Sequence, residues 1–87
     1  MSLTNWRVKL KESFKESGDS FVDMICTLTE EELDVKFYDG YGGIKGEVFT
    51  AWGEYFVYFP ITYDGMEWVG YAPRHPCAIA TNHMGGG

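Results

Sequence analysis

The 87-residue sequence has no long apolar run: none approaches the roughly 18 residues that a membrane-spanning helix needs. Its first 14 residues, MSLTNWRVKLKESF, lack the apolar segment of a signal peptide. These two absences argue against a membrane protein and against secretion. We therefore expect a cytoplasmic protein with no membrane partner.

Cysteine is scarce as well, with only Cys26 and Cys77. Because no secretion signal precedes them, we expect two reduced thiols that behave as small buried hydrophobic side chains. A single disulfide between them is the alternative that the sequence leaves open.

Basic residues are few: 7 Lys and Arg stand against 13 Asp and Glu, which gives a formal net charge of -6. Residues 1–17 contain four basic and two acidic residues, a balance of +2, whereas residues 18–87 contain three basic and eleven acidic residues, a balance of -8. Proteins that bind nucleic acids need a basic surface that displaces counterions from phosphate. The charge pattern thus argues against direct binding of DNA or RNA.

The rest of the composition is typical of a small globular protein. Apolar residues make up 45% of the chain and charged residues 23%, values that argue against disorder. We predict one α+β domain over residues 1–87, with a helical part in 3–38, a three-stranded antiparallel β-meander in 47–72 and an extended tail in 73–87. Two to three short helices would pack on one face of the meander.

The spacing of apolar residues predicts a helix over residues 3–17. Apolar side chains recur at intervals of three and four residues, as on one face of a helix, and they are Leu3, Trp6, Leu10 and Phe14. The alternation of Trp6, Val8 and Leu10 with basic residues also suits a strand, but it fails at Glu12. Gly18 follows as a C-terminal stop.

Two shorter helices are predicted next, over residues 19–28 and 30–38. In the first, Ser20 and Asp23 resemble a capping pair, although the apolar residues of this segment also alternate. In the second, Thr29 precedes Glu32 by three residues, so each side chain can reach the other's backbone N–H in a capping box. Gly40 stands where this second helix would end.

Beyond a flexible Tyr41-Gly42-Gly43 connector the pattern becomes that of β-strands, rich in aromatic and branched residues. The predicted strands are EVFTAW, YFVYFPIT and MEWVGYA, joined by Gly53-Glu54 and by Asp64-Gly65. Asp-Gly favours a two-residue hairpin, in which both central positions need positive φ.

Two-residue turns fix the register of both hairpins. The first would place Trp52 opposite Tyr55 and Phe49 opposite Tyr58. The second would pair Tyr63 with Met66, Ile61 with Trp68 and Phe59 with Gly70. Pro60 would then face Glu47, at the frayed start of the first strand, where the missing N–H of proline matters little.

The residue types of a zinc site are present but irregularly spaced. Two cysteines and two histidines make a tetrahedral zinc set, and the candidates are Cys26, His75, Cys77 and His83. Their spacing matches no common zinc module. We therefore expect no metal and no cofactor, with this set as the weaker alternative.

Catalytic arrangements are equally hard to assemble from the sequence. Cys77 with His75 lies in a proline-bounded tail, and Glu54 with Glu67 would need a shielded cleft that a small sheet hardly offers. The glycine-rich stretch near residue 42 lacks the Lys-Ser/Thr ending of a phosphate loop. The expectation is a non-enzymatic protein.

Six acidic residues occur between positions 19 and 34 with no basic residue among them: Asp19, Asp23, Glu30, Glu31, Glu32 and Asp34. One interpretation is a solvated surface whose acids stabilise a helix N-terminus. The other is an interaction surface that imitates phosphate charge and binds a basic protein partner.

Aromatic residues of the meander form the second candidate surface. Phe56 and Tyr58 would project to one face of the middle strand, and the opposite face would carry Tyr55, Val57, Phe59 and Ile61. Since both faces are apolar, one would cover the helices, and the other would be covered by the tail, a second copy in a homodimer or a partner. The aromatic candidates for partner binding are Trp52, Tyr55, Trp68 and Tyr71, unless they simply fill a small core.

The stretch FTAWGEYFVYFPITYDGMEWVGYAPRHP, with LTEEELD, YGG and the closing GGG, resembles short uncharacterised proteins of gut Firmicutes and their mobile elements. The resemblance covers most of the chain and implies a bacterial, phage or transposon origin but no mechanism. Small acidic proteins of such elements often block a host protein.

Two functional hypotheses follow. The first is an inhibitor, similar in role to anti-CRISPR proteins, that occludes a basic surface of a nucleic-acid-handling host protein. The second is a small-ligand binder or metal-assisted enzyme that uses the aromatic sheet face and the Cys/His tail.

Overall fold

A computed structural model of the chain describes residues 2–39, 46–63 and 66–84 and shows an α+β fold. In chain order the elements are β1 (Ser2–Thr4), α1 (Trp6–Ser17), a 3-10 turn (Phe21–Asp23), β2 (Ile25–Cys26), α2 (Glu30–Leu33), β3 (Phe37–Asp39), β4 (Ala51–Trp52), β5 (Phe56–Tyr63) and β6 (Met66–Pro73). Over these described ranges the strands form two antiparallel sheets, a pair β1-β3 and a four-stranded sheet in the order β2-β4-β5-β6. The predicted α+β class is confirmed, and the predicted three-stranded meander is only a part of the larger sheet.

The predicted first helix is real, but it begins at Trp6 and not at residue 3. Asn5 is its N-cap: the Asn5 side chain accepts a hydrogen bond from the Val8 N–H at 2.9 Å. Leu3, ahead of the cap, pairs with Tyr38 between β1 and β3. Gly18 ends the helix as predicted, in the left-handed conformation with φ of 84°, which glycine adopts without strain.

The predicted helix over residues 19–28 is wrong. The segment contains only the 3-10 turn and β2, and Ser20 makes no side-chain cap. Cys26 instead pairs with Ala51 in the four-stranded sheet, and the Thr27 N–H donates to the Thr50 carbonyl at 3.0 Å. Ladder hydrogen bonds to β4 thus outweigh the weak helical spacing of these residues.

The predicted helix over residues 30–38 is shorter than expected. Its capping box is confirmed, with reciprocal hydrogen bonds between Thr29 and Glu32 at 3.1 and 2.9 Å. The helix ends at Leu33 because Phe37 leaves it to pair with Thr4 and to pack its ring 5.0 Å from that of Trp6.

The register of the second hairpin is confirmed at Tyr63 with Met66, Ile61 with Trp68 and Phe59 with Gly70. Its predicted turn at Asp64-Gly65 lies outside the described residues. So do the predicted stop at Gly40, the connector at 41–43 and the closing glycines at 85–87.

The predicted register of the first hairpin is wrong. Ala51 pairs with Tyr58 and Trp52 with Val57, so the connection is a longer loop in which the Gly53 N–H donates to the Phe56 carbonyl at 2.9 Å. The paired part of β4 ends before it could reach Pro60, which is matched only with Val69 of β6. The missing N–H of Pro60 is tolerated for that reason, and not because Glu47 faces it.

The core lies between α1 and one face of the four-stranded sheet. The buried apolar residues are Trp6, Leu10, Phe14, Leu33, Phe37, Phe49, Ala51, Tyr58 and Val69. The three core residues from α1, Trp6, Leu10 and Phe14, all belong to the predicted apolar stripe, and α2 adds Leu33. None of the described helices is long and apolar enough to cross a membrane, and α1, the longest of them, has 12 residues.

Candidate interaction surface

The four-stranded sheet has an inner face that packs on α1. The Tyr58 ring stacks on the Phe14 ring, with 4.0 Å between their centroids. Because side chains alternate along a strand and paired residues share a face, the register assigns the other inner residues. They are Cys26, Ala51, Phe56, Pro60, Thr62, Glu67, Val69, Tyr71 and Pro73.

The opposite side of the same sheet, the outer face, carries mainly apolar side chains. Its residues are Ile25, Trp52, Val57, Phe59, Ile61, Met66, Trp68, Gly70 and Ala72. Ile25 is 63% exposed, Met66 46% and Trp68 36%. The residues between them are half-buried, and Gly70 is buried. Exposed apolar side chains at the edges of an apolar sheet face are typical of an interaction surface.

The chain after β6 places Met84 against the outer face. Residues 74–84, the tail, contain no helix or strand, as predicted for an extended tail, although β6 itself continues to Pro73. The Met84 Sδ atom lies 3.2 Å from the position that a Cβ of Gly70 would take. A groove of about 340 Å³ runs between tail and sheet, bordered by Trp68, Gly70 and Ile79 among others.

The four aromatic candidates do not form one surface. Trp52 and Trp68 share the outer face, on the strands that flank β5. Tyr55 lies in the loop between β4 and β5 and is 59% exposed. Tyr71 is on the inner face, where its hydroxyl donates a hydrogen bond to Glu16 at 2.9 Å, a contact that raises the pKa of Tyr71.

Asp19, the first of the six acidic candidates, belongs to an internal network. Its carboxylate accepts hydrogen bonds from the backbone N–H groups of Tyr55 and Phe56, both at 3.1 Å, and from the Tyr58 hydroxyl at 2.9 Å. Ser17 Oγ lies 2.5 Å from the same hydroxyl oxygen. Burial is the main reason that the pKa of Tyr58 is raised. Asp19 therefore cannot serve as a partner-binding acid.

Glu30 and Asp34 are tied to a cation of α1. The Arg7 guanidinium donates to Glu30 Oε2 at 2.5 Å and to Asp34 Oδ1 at 2.6 Å. The hydrogen bond from Arg7 lowers the pKa of Asp34. These two ion pairs join α1 to α2 at the protein surface, and the charge of Arg7 neutralises part of the negative charge of the acidic run.

The remaining acids are exposed and do not converge. Glu32 closes the capping box of α2, while Asp23 and Glu31 are exposed on the 3-10 turn and on α2. The acidic run is therefore partly internal, partly neutralised and only partly available to a partner.

The Cys/His set considered as the alternative to the expected absence of metal is not brought together. Within the described ranges, no three His, Cys, Asp or Glu side chains lie close enough to share an ion, which covers Cys26, His75, Cys77 and His83. Both cysteines are free thiols, and burial raises the pKa of Cys26. The expected burial is wrong for Cys77, which is exposed on the tail, and Cys26 is half-buried. His75 and Cys77 border a second, largely apolar groove of about 310 Å³ beside Tyr55.

The carboxylates considered for hydrolysis are also apart. Glu67 is buried on the inner face and accepts a hydrogen bond from the Gly46 N–H at 2.9 Å. Glu54 is exposed in the loop between β4 and β5. This arrangement offers no shielded pair for acid and base chemistry.

Comparison of the chain with protein-family models, with curated proteins and with solved structures finds no match. The resemblance to mobile-element proteins thus stays a prediction.

Proposed function

We propose that this chain is a non-enzymatic interaction protein that binds a protein partner through the outer face of its four-stranded sheet. The observation that carries the proposal is the exposure of Ile25 on β2 and of Met66 and Trp68 on β6, the two edge strands of the same sheet face. Burial of such side chains drives association, and tryptophan is among the residues that contribute most to protein interfaces.

The net negative charge of the chain favours a partner with a basic surface. The chain carries a net charge of -6, and exposed acids such as Asp23 and Glu31 lie outside the sheet. A partner with a basic surface would be attracted at long range and would associate faster at low salt. The acids would speed encounter, while the outer face would slow dissociation.

A basic partner surface fits a nucleic-acid-handling protein of the bacterial cytoplasm, which this chain would inhibit by occlusion. This extends the first hypothesis from the sequence, with one change: the apolar sheet face, and not the acidic run, supplies most of the contact. The origin in a phage or other mobile element is part of the same proposal.

The second candidate function is the binding of a small apolar ligand. The observation that favours it is the largely apolar groove that His75 and Cys77 border with Tyr55. A Tyr55→Ser variant separates the two candidates, because it would change the small-ligand site and leave the outer face intact.

The proposal is tested by capture of proteins from a bacterial lysate on the immobilised chain. The informative variants are Trp68→Ser and Ile25→Ser on the outer face. The matched control is Val22→Ser, which removes an apolar side chain that is 92% exposed on the 3-10 turn. A second arm replaces Glu30, Glu31 and Glu32 with Gln and varies the salt concentration.

We expect a specific protein that the wild type and Val22→Ser capture equally and that both outer-face variants lose. The triple Gln variant should capture the same protein with an association rate constant that is lower by about tenfold at low salt. Capture that persists in Trp68→Ser and Ile25→Ser would contradict binding through the outer face. A binding affinity that changes neither with salt concentration nor in the triple Gln variant would contradict a partner with a basic surface.

A further inference from the structure

The tail begins with a firm attachment at Arg74. The Arg74 N–H donates to the Tyr55 carbonyl and its guanidinium to the Gly53 carbonyl, both at 2.9 Å. These two hydrogen bonds fix the start of the tail to the loop between β4 and β5. The direction in which the chain leaves β6 is therefore set by the fold.

Past Arg74 the tail is held much more loosely. Residues 75–84 are all exposed, with Ile79 61% and Met84 39% exposed. Apolar side chains that remain this exposed gain little from burial. Segments with few buried contacts open at low free-energy cost, so the tail can leave the sheet without global unfolding.

The tail nevertheless has a defined contact site, or seat, on the outer face, which is the space left by the missing side chain of Gly70. A Cβ at this position would lie 2.9 Å from Ile61 Cγ2 and 3.2 Å from Met84 Sδ. The thioether of Met84 thus occupies space that a side chain would otherwise fill. Beside this seat, the groove of about 340 Å³ shows that the tail does not pack closely along its length.

We propose that the tail beyond Arg74, residues 75–84, is a displaceable cover of the outer face, which contacts Gly70 through Met84 and is exchanged for the partner on binding. The inference rests on the proposed function, since it concerns the same face. A partner that needs the uncovered face binds with an affinity reduced by the fraction of molecules that are open. The cover would also shield apolar surface from self-association while the partner is absent.

The test uses the full chain and the neutral apolar dye Nile red as a probe of the outer face. The double variant Ile79→Ser/Met84→Ser weakens the seat without touching the sheet. Val22→Ser is the control for loss of an exposed apolar side chain, and Trp68→Ser reports whether the dye is on the outer face. Circular dichroism verifies that each variant keeps the fold.

We expect the double variant to bind Nile red about threefold to tenfold more tightly than the wild type, since its open fraction rises. Val22→Ser should match the wild type, and Trp68→Ser should lose the dye. Unchanged or weaker binding in the double variant would overturn the cover, because the tail would then be irrelevant or part of the site.

The two proposals fail in different ways. A double variant with unchanged dye affinity, while lysate capture still depends on Trp68, overturns the cover and leaves the interaction face standing. If the double variant binds the dye more tightly but Trp68→Ser captures the same protein as the wild type, the result supports the cover and overturns the proposed function.

Discussion

The Asp19 carboxylate accepts a hydrogen bond from the Tyr58 hydroxyl at 2.9 Å, across 39 positions of sequence. This contact joins the residue after the C-cap of α1 to the central strand of the sheet. The same carboxylate binds the N–H groups of Tyr55 and Phe56, at the start of β5. Asp19 thereby sets where β5 begins and how α1 lies on the inner face.

Asp19→Ala should lower the free energy of unfolding by about 2–3 kcal/mol, because a charged acceptor is lost and its donors lose their partner. The measurement is urea denaturation at pH 7. Asp23→Ala is the matched control, since Asp23 is exposed, and it should change stability by less than about 0.5 kcal/mol. Equal effects of the two variants would contradict the internal role of Asp19.

The stability of the protein should fall as pH rises above 10. Burial raises the pKa of Tyr58 above its ordinary value of 10.0, so the unfolded chain ionises this group before the folded chain does. The stabilisation is fully present below pH 10 and is lost as pH rises towards the folded pKa.

Tyr58→Phe should flatten this decline, and the residual slope should come from Tyr71 and Cys26, whose pKa values are also raised. Tyr38→Phe serves as the control, because Tyr38 is 55% exposed on β3. Denaturation curves between pH 8 and 11 provide the comparison, and a slope that Tyr58→Phe leaves unchanged would refute the assignment.

Gly53→Ala should destabilise the fold by about 1–3 kcal/mol, as overpacking of a filled site does. A Cβ on Gly53 would overlap the Asp19 carboxylate and approach the Phe14 ring to 3.0 Å. Glu54→Ala, one residue away and exposed, should have a much smaller effect. Thermal denaturation of the two variants provides the comparison. A lower midpoint for Glu54→Ala than for Gly53→Ala would contradict the close packing of Asp19 and Phe14 around Gly53.

The Arg7 ion pairs should contribute a small, salt-sensitive coupling between α1 and α2. A double-mutant cycle with Arg7→Gln and Asp34→Asn isolates it. The pKa of Asp34 is lowered by Arg7, so the coupling is present above pH 3.8 and is lost as pH falls through the folded pKa. Exposed pairs are screened, and a coupling that grows with salt would be inconsistent with this contact.

Features governed by neighbouring residues could be predicted from the sequence. The apolar stripe of α1, its stop at Gly18 and the capping box at Thr29 each depend on contacts within a few positions. The register of the second hairpin could be predicted because the Asp64-Gly65 pair in the sequence favours a two-residue turn, which fixes the pairing of the strands beside it.

The errors came from long-range contacts. Residues 19–28 have helical spacing, yet pairing of Cys26 with Ala51 makes part of them a strand. The first hairpin has a longer loop because Asp19, far away in sequence, binds the N–H groups of Tyr55 and Phe56. The only local hint was an acidic residue directly after a helix-ending glycine.

The candidate surface was predicted in part. Alternation along β5 already separates Tyr58 from Val57, Phe59 and Ile61, and it correctly indicated a second apolar face. Sequence alone could not show that Asp19 is internal or that Arg7 engages Glu30, because both facts depend on how α1 packs against distant segments.

The most direct test of the central claim uses the three tryptophans of the chain. With 5-fluorotryptophan, Trp52 and Trp68 report on the outer face, while Trp6 is buried and donates its indole N–H to the Glu47 carbonyl at 3.0 Å. A neutral nitroxide in solution broadens the fluorine signals of exposed rings. We predict broadening of Trp68 and Trp52 in the free protein, and protection of both once the captured partner is added. A bound partner that leaves Trp68 as broadened as in the free protein would contradict binding through the outer face.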